Sequence, residues 1–241
     1  MAIAIASCTQ SEQPFSATVA VAANFKTTLD ALEADFESST KYELETVVGS
    51  TGKLYAQITY GAPYDVFLAA DQARPTRLVD ENRAVSGSRI TYAVGRLVLW
   101  SKGDVEFGPD LLTASKTKRI AIANPDLAPY GKAAKQTLEQ LGLDVALVPK
   151  LVFGENVGQA FAFVRTGNAQ LGFVSEAQVL SLPDSQRGNI WIVPSSSHDP
   201  IAQDAVLLAH GADNPAAQAF MAYLQSTEAR DIIASQGYEA P

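Results

Sequence analysis

The 241-residue chain reads as an α/β protein of two lobes, each a mostly parallel sheet flanked by helices. Three observations carry that reading. Short apolar runs alternate with segments of helical period, and short connections join them, as parallel strands joined by crossover helices require. The alternation restarts after residues 90–95, so two modest sheets are expected. Similar polar turns lead from strand to helix in both halves: Ala22-Ala23-Asn24-Phe25 and Gly49-Ser50-Thr51-Gly52, then Ala128-Pro129-Tyr130-Gly131 and Glu155-Asn156-Val157-Gly158.

The elements follow in order. Residues 19–23 form a buried-strand run, and Leu29, Leu32 and Phe36 recur at helical spacing after it. Residues 43–48 read as a strand, and Leu54 and Ile58 mark a helix that stops before Gly61 and Pro63. A third strand spans 66–70 and a helix 72–81. The second set opens with a strand at 96–100, then a loop and short helix over 101–115. Strands are expected at 119–123, 147–153, 171–174 and 190–193, with helices at 132–141 and 157–166. A loop over 194–200 precedes a strand at 205–209, and helices at 214–226 and 227–236 finish the chain. The expected division is a leader and tether at 1–16, one lobe from 17–92 plus 201–241, and a second lobe at 93–200.

A net charge of −8 argues against nucleic acid, whose phosphates demand clustered Lys and Arg. It leaves a small anion open, because an enclosed site feels local dipoles more than a screened total. No apolar run reaches bilayer-spanning length, so the body is expected to be soluble. Cys8 is the single cysteine, which excludes an internal disulfide framework or a cysteine-cluster metal site. Ile5-Ala6-Ser7-Cys8 resembles a bacterial lipobox, although the preceding apolar stretch is short and lacks a basic leader. An exported protein or a lipoprotein anchored through Cys8 is the expectation; an N-terminal tail with an inert thiol is the alternative.

The four turns place backbone N–H groups, hydroxyls and amides at helix N-termini, where an anion can be held without a cationic side chain. Taken singly, Asn24, Ser50 and Asn156 are ordinary caps, and Tyr130 an ordinary turn aromatic. Their recurrence in both halves gives them weight, since ligands of open α/β sheets bind at the carboxyl ends of strands. Asp65 and Asp71 are expected to brace turns, and Glu155 to face solvent. His198 and His210 fit neither a metal pair nor a catalytic triad.

Asn24, Gly49-Ser50-Thr51-Gly52, Gly61-Ala62-Pro63-Tyr64-Asp65-Val66-Phe67 through Ala70-Asp71-Gln72, Ala128-Pro129-Tyr130-Gly131 and Asn156-Val157-Gly158-Gln159-Ala160 together resemble the molybdate-binding proteins of bacterial ABC importers. The similarity runs from Thr18 to Tyr238. It implies a periplasmic-binding-protein fold of type II that closes about a hinge on a tetrahedral oxyanion in the interlobe cleft. Carried over to this chain, the donors would be Asn24, Thr51 or its neighbour Ser50, Tyr130 and the backbone N–H of Val157. Some members place a ligand tyrosine just after the Leu-Gly-aliphatic-Val strand. Here Ser175 stands at that point, so Tyr130 would supply the phenol and Ser175 is a secondary candidate.

The resemblance also implies a periplasmic or cell-surface protein, a monomer without cofactor, that delivers molybdate or tungstate to a membrane permease and its ATPase. The chain itself has no G-x-x-x-x-G-K-[ST] loop. A site of donors alone suits a fully ionised oxyanion, whereas monohydrogen phosphate would bring a proton that wants a carboxylate. Charge-assisted hydrogen bonds of roughly 1.5–3 kcal/mol each would let several donors bind tightly without a countercharge. Sulfate or phosphate is the alternative guest. An enzyme closing on an anionic substrate is the alternative class, and it lacks an evident nucleophile or acid–base pair.

Overall fold

The computed structural model describes residues 15–103, 105 and 109–241. Cys8 and the lipobox-like leader lie outside the described residues. The first sheet is built from β1 (Ser16–Ala22), β2 (Glu43–Gly49), β3 (Val66–Leu68), β4 (Ile90–Gly95) and β10 (Ile201–Leu207), in the order β2-β1-β3-β10-β4. The second uses β5 (Leu97–Ser101), β6 (Ile120–Ala123), β7 (Leu151–Gly154), β8 (Leu171–Ser175) and β9 (Asn189–Ile192), in the order β7-β6-β8-β5-β9. β1 runs parallel to both β2 and β3, and β6 parallel to both β7 and β8. One strand is reversed in each sheet: β10 is antiparallel to β3 and β4, and β5 to β8 and β9. The two sheets therefore repeat one plan, a parallel core with a single reversed strand in the fourth position.

Helices cover the sheets because their apolar spacing lets them. In α1 (Lys26–Ser39), Leu29, Leu32 and Phe36 are buried on one face. Phe36 packs edge-on against Phe220 of α9 (Pro215–Tyr223), ring centres 5.4 Å apart, which ties the first core to the C-terminal helices. In the second core, Trp100 on β5 is fully buried and stacks on Phe161 of α7 (Val157–Arg165) at 4.8 Å. Trp191 sits on the neighbouring strand β9, opposite Leu99. Both sheets thus own a separate apolar core, and among the described residues no helix is long and apolar enough to cross a membrane.

Four expectations change. Only the last part of 147–153 is strand: α6 (Asp144–Leu147) and a 3₁₀ turn, Val148–Lys150, come first. Pro149 lacks the N–H a ladder needs, and Val145 and Val148 are exposed apolar residues that imitate a strand run. β10 starts at Ile201, four residues early, because buried Gln203 and Asp204 break the apolar pattern while still pairing in the sheet. A short helix, α8 (Glu176–Leu180), follows β8, and the N–H of Ser175 donates to Gln178 Oε1 at 3.3 Å. Finally β4 lies wholly in the first sheet, so the first crossing falls at Gly95–Leu97 rather than between 92 and 93.

Candidate functional site

The strand orders create two switch points. β1 has β2 on one side and β3 on the other, so a crevice opens at its carboxyl end, and β6 between β7 and β8 does the same in the second sheet. Asn24 follows β1, and α2 (Thr51–Thr59) starts beside it with Ser50 as N-cap. In the second half α5 (Pro129–Gln140) begins at Pro129, which pre-sets the first helical turn without wasting an N–H, and Tyr130 comes next. Asn156 caps α7, its Oδ1 accepting from the N–H of Gln159 at 3.0 Å.

These turns meet. One cavity is lined by Asn24, Ser50, Thr51, Tyr130, Asn156 and Val157, with Ala22, Ala23, Gly49, Ala70, Ala128 and Pro129 between them. It is small: the centre of a water-sized sphere can range over only ≈ 10 Å³ within it, about the room one such sphere needs. The wall carries no charged side chain. Positive potential comes instead from the N-termini of α2, α5 and α7, whose first N–H groups have no partner within the helix. Among the described residues the backbone N–H groups of Asn24, Ser50, Thr51 and Val157 donate to no protein acceptor.

The hydroxyls are arranged to donate. Ser50 Oγ accepts from the N–H of Lys53 at 3.4 Å, and Thr51 Oγ1 accepts from the N–H of Ala70 at 3.1 Å. Each oxygen is used as an acceptor by the backbone, so each keeps its own proton for another partner. Tyr130 is buried, and burial first, then the neighbouring Tyr238 phenol, holds its hydroxyl well above the usual range. It stays a neutral donor. Gly95 makes room for it: a Cβ at that position would lie 2.0 Å from Tyr130 Oη.

Contacts join the halves around this cavity. The N–H of Gly52 donates to the Leu127 carbonyl at 2.8 Å, and Arg74 Nη2 reaches the Asp126 carbonyl at 3.2 Å. Lys53 pairs with Glu155 across the opening, with both side chains about half exposed. Glu155 thus has a cationic partner on the opposite lobe as well as exposure to solvent.

Ser175 is placed differently from the other five candidates. It is not part of the cavity wall but lies behind it, fully buried, within electrostatic reach of the Tyr130 and Tyr238 hydroxyls. Asp65 braces the sheet, accepting from the N–H of Thr18 at 2.7 Å and meeting His210 Nδ1 at 3.0 Å. Asp71, ahead of α3 (Ala73–Asp80), accepts from the N–H of Arg74 at 3.0 Å and pairs with the Arg74 guanidinium. His198 is in an exposed loop, with Nδ1 against the Asp199 carbonyl.

Sequence reasoning passed over a buried polar layer beneath the cavity. Asn24 Nδ2 donates to Gln203 Oε1 at 2.9 Å and to Tyr238 Oη at 3.2 Å, and Tyr238 Oη donates to the Asn24 carbonyl at 2.9 Å. Gln203 Nε2 reaches Tyr130 Oη at 3.5 Å. The available signal was Gln203 itself, a long amide inside a run otherwise suited to a buried strand. Asn156 was visible as a turn residue, and its place in the wall comes from the cap that turns it inward.

Comparison with known proteins accords with this geometry. The chain matches the family model described as bacterial extracellular solute-binding protein over residues 17–239. The molybdate-binding protein ModA of Azotobacter vinelandii is 48% identical over 222 residues, covering 91% of this chain and 88% of that protein. ModA of Rhodobacter capsulatus is 45% identical over 221 residues, covering 91% and 86%. The solved structure of an Azotobacter vinelandii periplasmic molybdate-binding protein superposes with a TM-score of 0.90 at 38% identity, covering 93% of this chain and 99% of that one. The chain therefore belongs to the bacterial extracellular solute-binding protein family.

Proposed function

We propose that this protein captures molybdate or tungstate in the cleft between its two sheets and delivers it to an ABC importer. The observation that carries the reading is a small cavity walled by uncharged donors from both halves, at two facing switch points. The backbone N–H groups of Asn24 and Val157, the hydroxyls of Ser50 and Thr51, and the phenol of Tyr130 would hold the oxyanion. Asn24 contributes its main chain, since both protons of its side-chain nitrogen are already taken by Gln203 and Tyr238. Ser175 would act from behind, beside Tyr130. The lobes are 17–92 with 201–241, and 93–200, apart from the strand end at 93–95 noted above.

Because the donors come from both lobes, the guest stabilises the closed arrangement over an open one. No carboxylate faces the cavity to accept the proton of monohydrogen phosphate. Sulfate has the same charge and donor needs as molybdate, so its rejection would depend on how the donors space themselves when the lobes close on the larger anion. Delivery would require a permease and a separate ATPase docking on both lobes of a monomeric, exported protein, and Cys8 offers a lipid anchor. The molybdate-binding relatives, one of them the periplasmic protein of Azotobacter vinelandii, support this reading.

A thermal-shift panel with molybdate, tungstate, sulfate and phosphate tests the reading. At a thousandfold excess over Kd a ligand adds about 4 kcal/mol, which for a chain of this size raises Tm by roughly 8–16 °C. Molybdate and tungstate should do so, and sulfate and phosphate should not. No shift with either metal oxyanion, or an equal shift with sulfate, would overturn it.

A further inference from the structure

We infer that Gln203 is a positioning residue that sets which way the Tyr130 phenol directs its single proton, and that this direction is dictated by the main-chain carbonyl of Asn24. The inference rests on the oxyanion reading above and adds residues that lie outside the cavity wall.

A carbonyl oxygen can only accept a hydrogen bond. Tyr238 Oη lies 2.9 Å from the Asn24 carbonyl, so its one proton is committed there. Its oxygen is then left to accept, and it does so from Asn24 Nδ2 at 3.2 Å. That fixes the face of the Asn24 amide. The same Nδ2 stands 2.9 Å from Gln203, which must meet it with Oε1. Gln203 Nε2 is thereby turned to Tyr130 Oη at 3.5 Å. A phenol oxygen that accepts from an amide keeps its own proton to give, and Gln203 thereby turns that proton away from itself, toward the cavity that Tyr130 lines and the buried Ser175 hydroxyl beside it. Tyr92 adds a second claim on Oε1: its hydroxyl divides one proton between the Ala69 carbonyl at 3.1 Å and Gln203 Oε1 at 3.2 Å.

Every member is at most 4% exposed, so bulk solvent does not scramble the order of donors and acceptors. Asn24, Tyr92, Gln203 and Tyr238 belong to the first sheet's side and Tyr130 to the second, so the relay crosses the cleft. Without Gln203, the phenol could rotate its proton away and present a lone pair to an anion. Gln203 thus protects the donor character of the site.

The test is a double-mutant cycle read by calorimetric titration with molybdate, using Tyr130→Phe, Gln203→Met, Tyr238→Phe and each of the last two combined with Tyr130→Phe. Gln203→Met should weaken binding about tenfold and Tyr238→Phe about threefold, yet neither should cost more than about twofold once Tyr130 has lost its hydroxyl. Losses that simply add, or wild-type affinity in Gln203→Met, overturn the inference and leave the oxyanion reading standing. Wild-type protein that ignores molybdate removes the oxyanion reading itself. Should Gln203→Met fail to fold, the Tyr238→Phe pair decides alone.

Discussion

Gly95→Ala probes the meeting of the two halves with a single methyl group. The added carbon would stand 2.0 Å from Tyr130 Oη, 2.6 Å from Gln203 Nε2 and 2.9 Å from Tyr130 Cζ. Ordinary contact begins near 3.4 Å, so the phenol must retreat by roughly 1.4 Å. It has nowhere to go as a rigid body. The next residue, Gly131, is pressed so close to β6 that a Cβ there would lie 2.3 Å from the Ala123 carbonyl. Relief must come from rotating Tyr130 out of place or parting the lobes. Overpacking of this kind costs about 1–3 kcal/mol, and if only the closed form bears it, molybdate binding weakens roughly five- to 150-fold. Calorimetric titration measures that loss, and ligand-free melting measures whether the fold shares it. The expected result is weakened binding with a ligand-free Tm changed by less than about 2 °C, a shift worth under 1 kcal/mol for this size. Affinity within twofold of wild type would refute the reasoning, because Tyr130 would then be no part of the bound state.

Other perturbations give distinct signatures. Lys53→Met removes the ion pair with Glu155 across the opening; both groups are half exposed, so affinity should fall less than about fivefold and the difference should vanish in high salt. A large, salt-insensitive loss would contradict this. Asp204→Ala strips a fully buried carboxylate that accepts from Arg89, from Thr91 at 2.7 Å and from Gln72 at 3.1 Å. Because Arg89 remains partly solvated, a loss of about 3 kcal/mol is expected, or a Tm lowered by roughly 6–12 °C; an unchanged melting curve would show that the cluster carries no stability. Alkaline pH is the last case. Burial pushes the Tyr238 phenol up to about 12 and those of Tyr92 and Tyr130 well above their ordinary range. The unfolded chain ionises them near 10, so their contribution is intact below pH 10 and declines as pH climbs toward 12, by up to about 1.4 kcal/mol per pH unit for each phenol. Denaturation midpoints that stay level from pH 9 to 11 would contradict that burial.

The legible parts of this molecule were those where one residue type has one common physical use. Val19 to Ala22 and Leu171 to Val174 read as strands because nothing polar interrupts them, and Ser50 and Asn156 read as caps because their oxygens sit one residue ahead of a helix. Recurrence of such turns singled out Asn24, Ser50, Thr51, Tyr130 and Val157, residues that line one cavity. The polar layer behind it was hidden for the opposite reason. Gln203 and Asp204 look like surface residues, and only tertiary pairing shows that one faces Asn24 and the other the Arg89 cluster. Tyr238 lies 214 positions from Asn24 in sequence, a separation that no local pattern encodes. Exposed Val145 and Val148 erred the other way, lending a turn the composition of a strand.

The chain's two tryptophans sit on adjacent strands of a single sheet, with Trp100 sealed against Phe161 and Trp191 partly accessible on the next strand. Indole emission therefore watches one half of the protein, while far-ultraviolet dichroism sums over both. Comparing the two signals along a urea titration asks whether the halves melt together or in sequence, with no label attached. A guest that bridges them should draw separated transitions into one, so coincidence of the curves becomes an optical record of how firmly the halves are coupled.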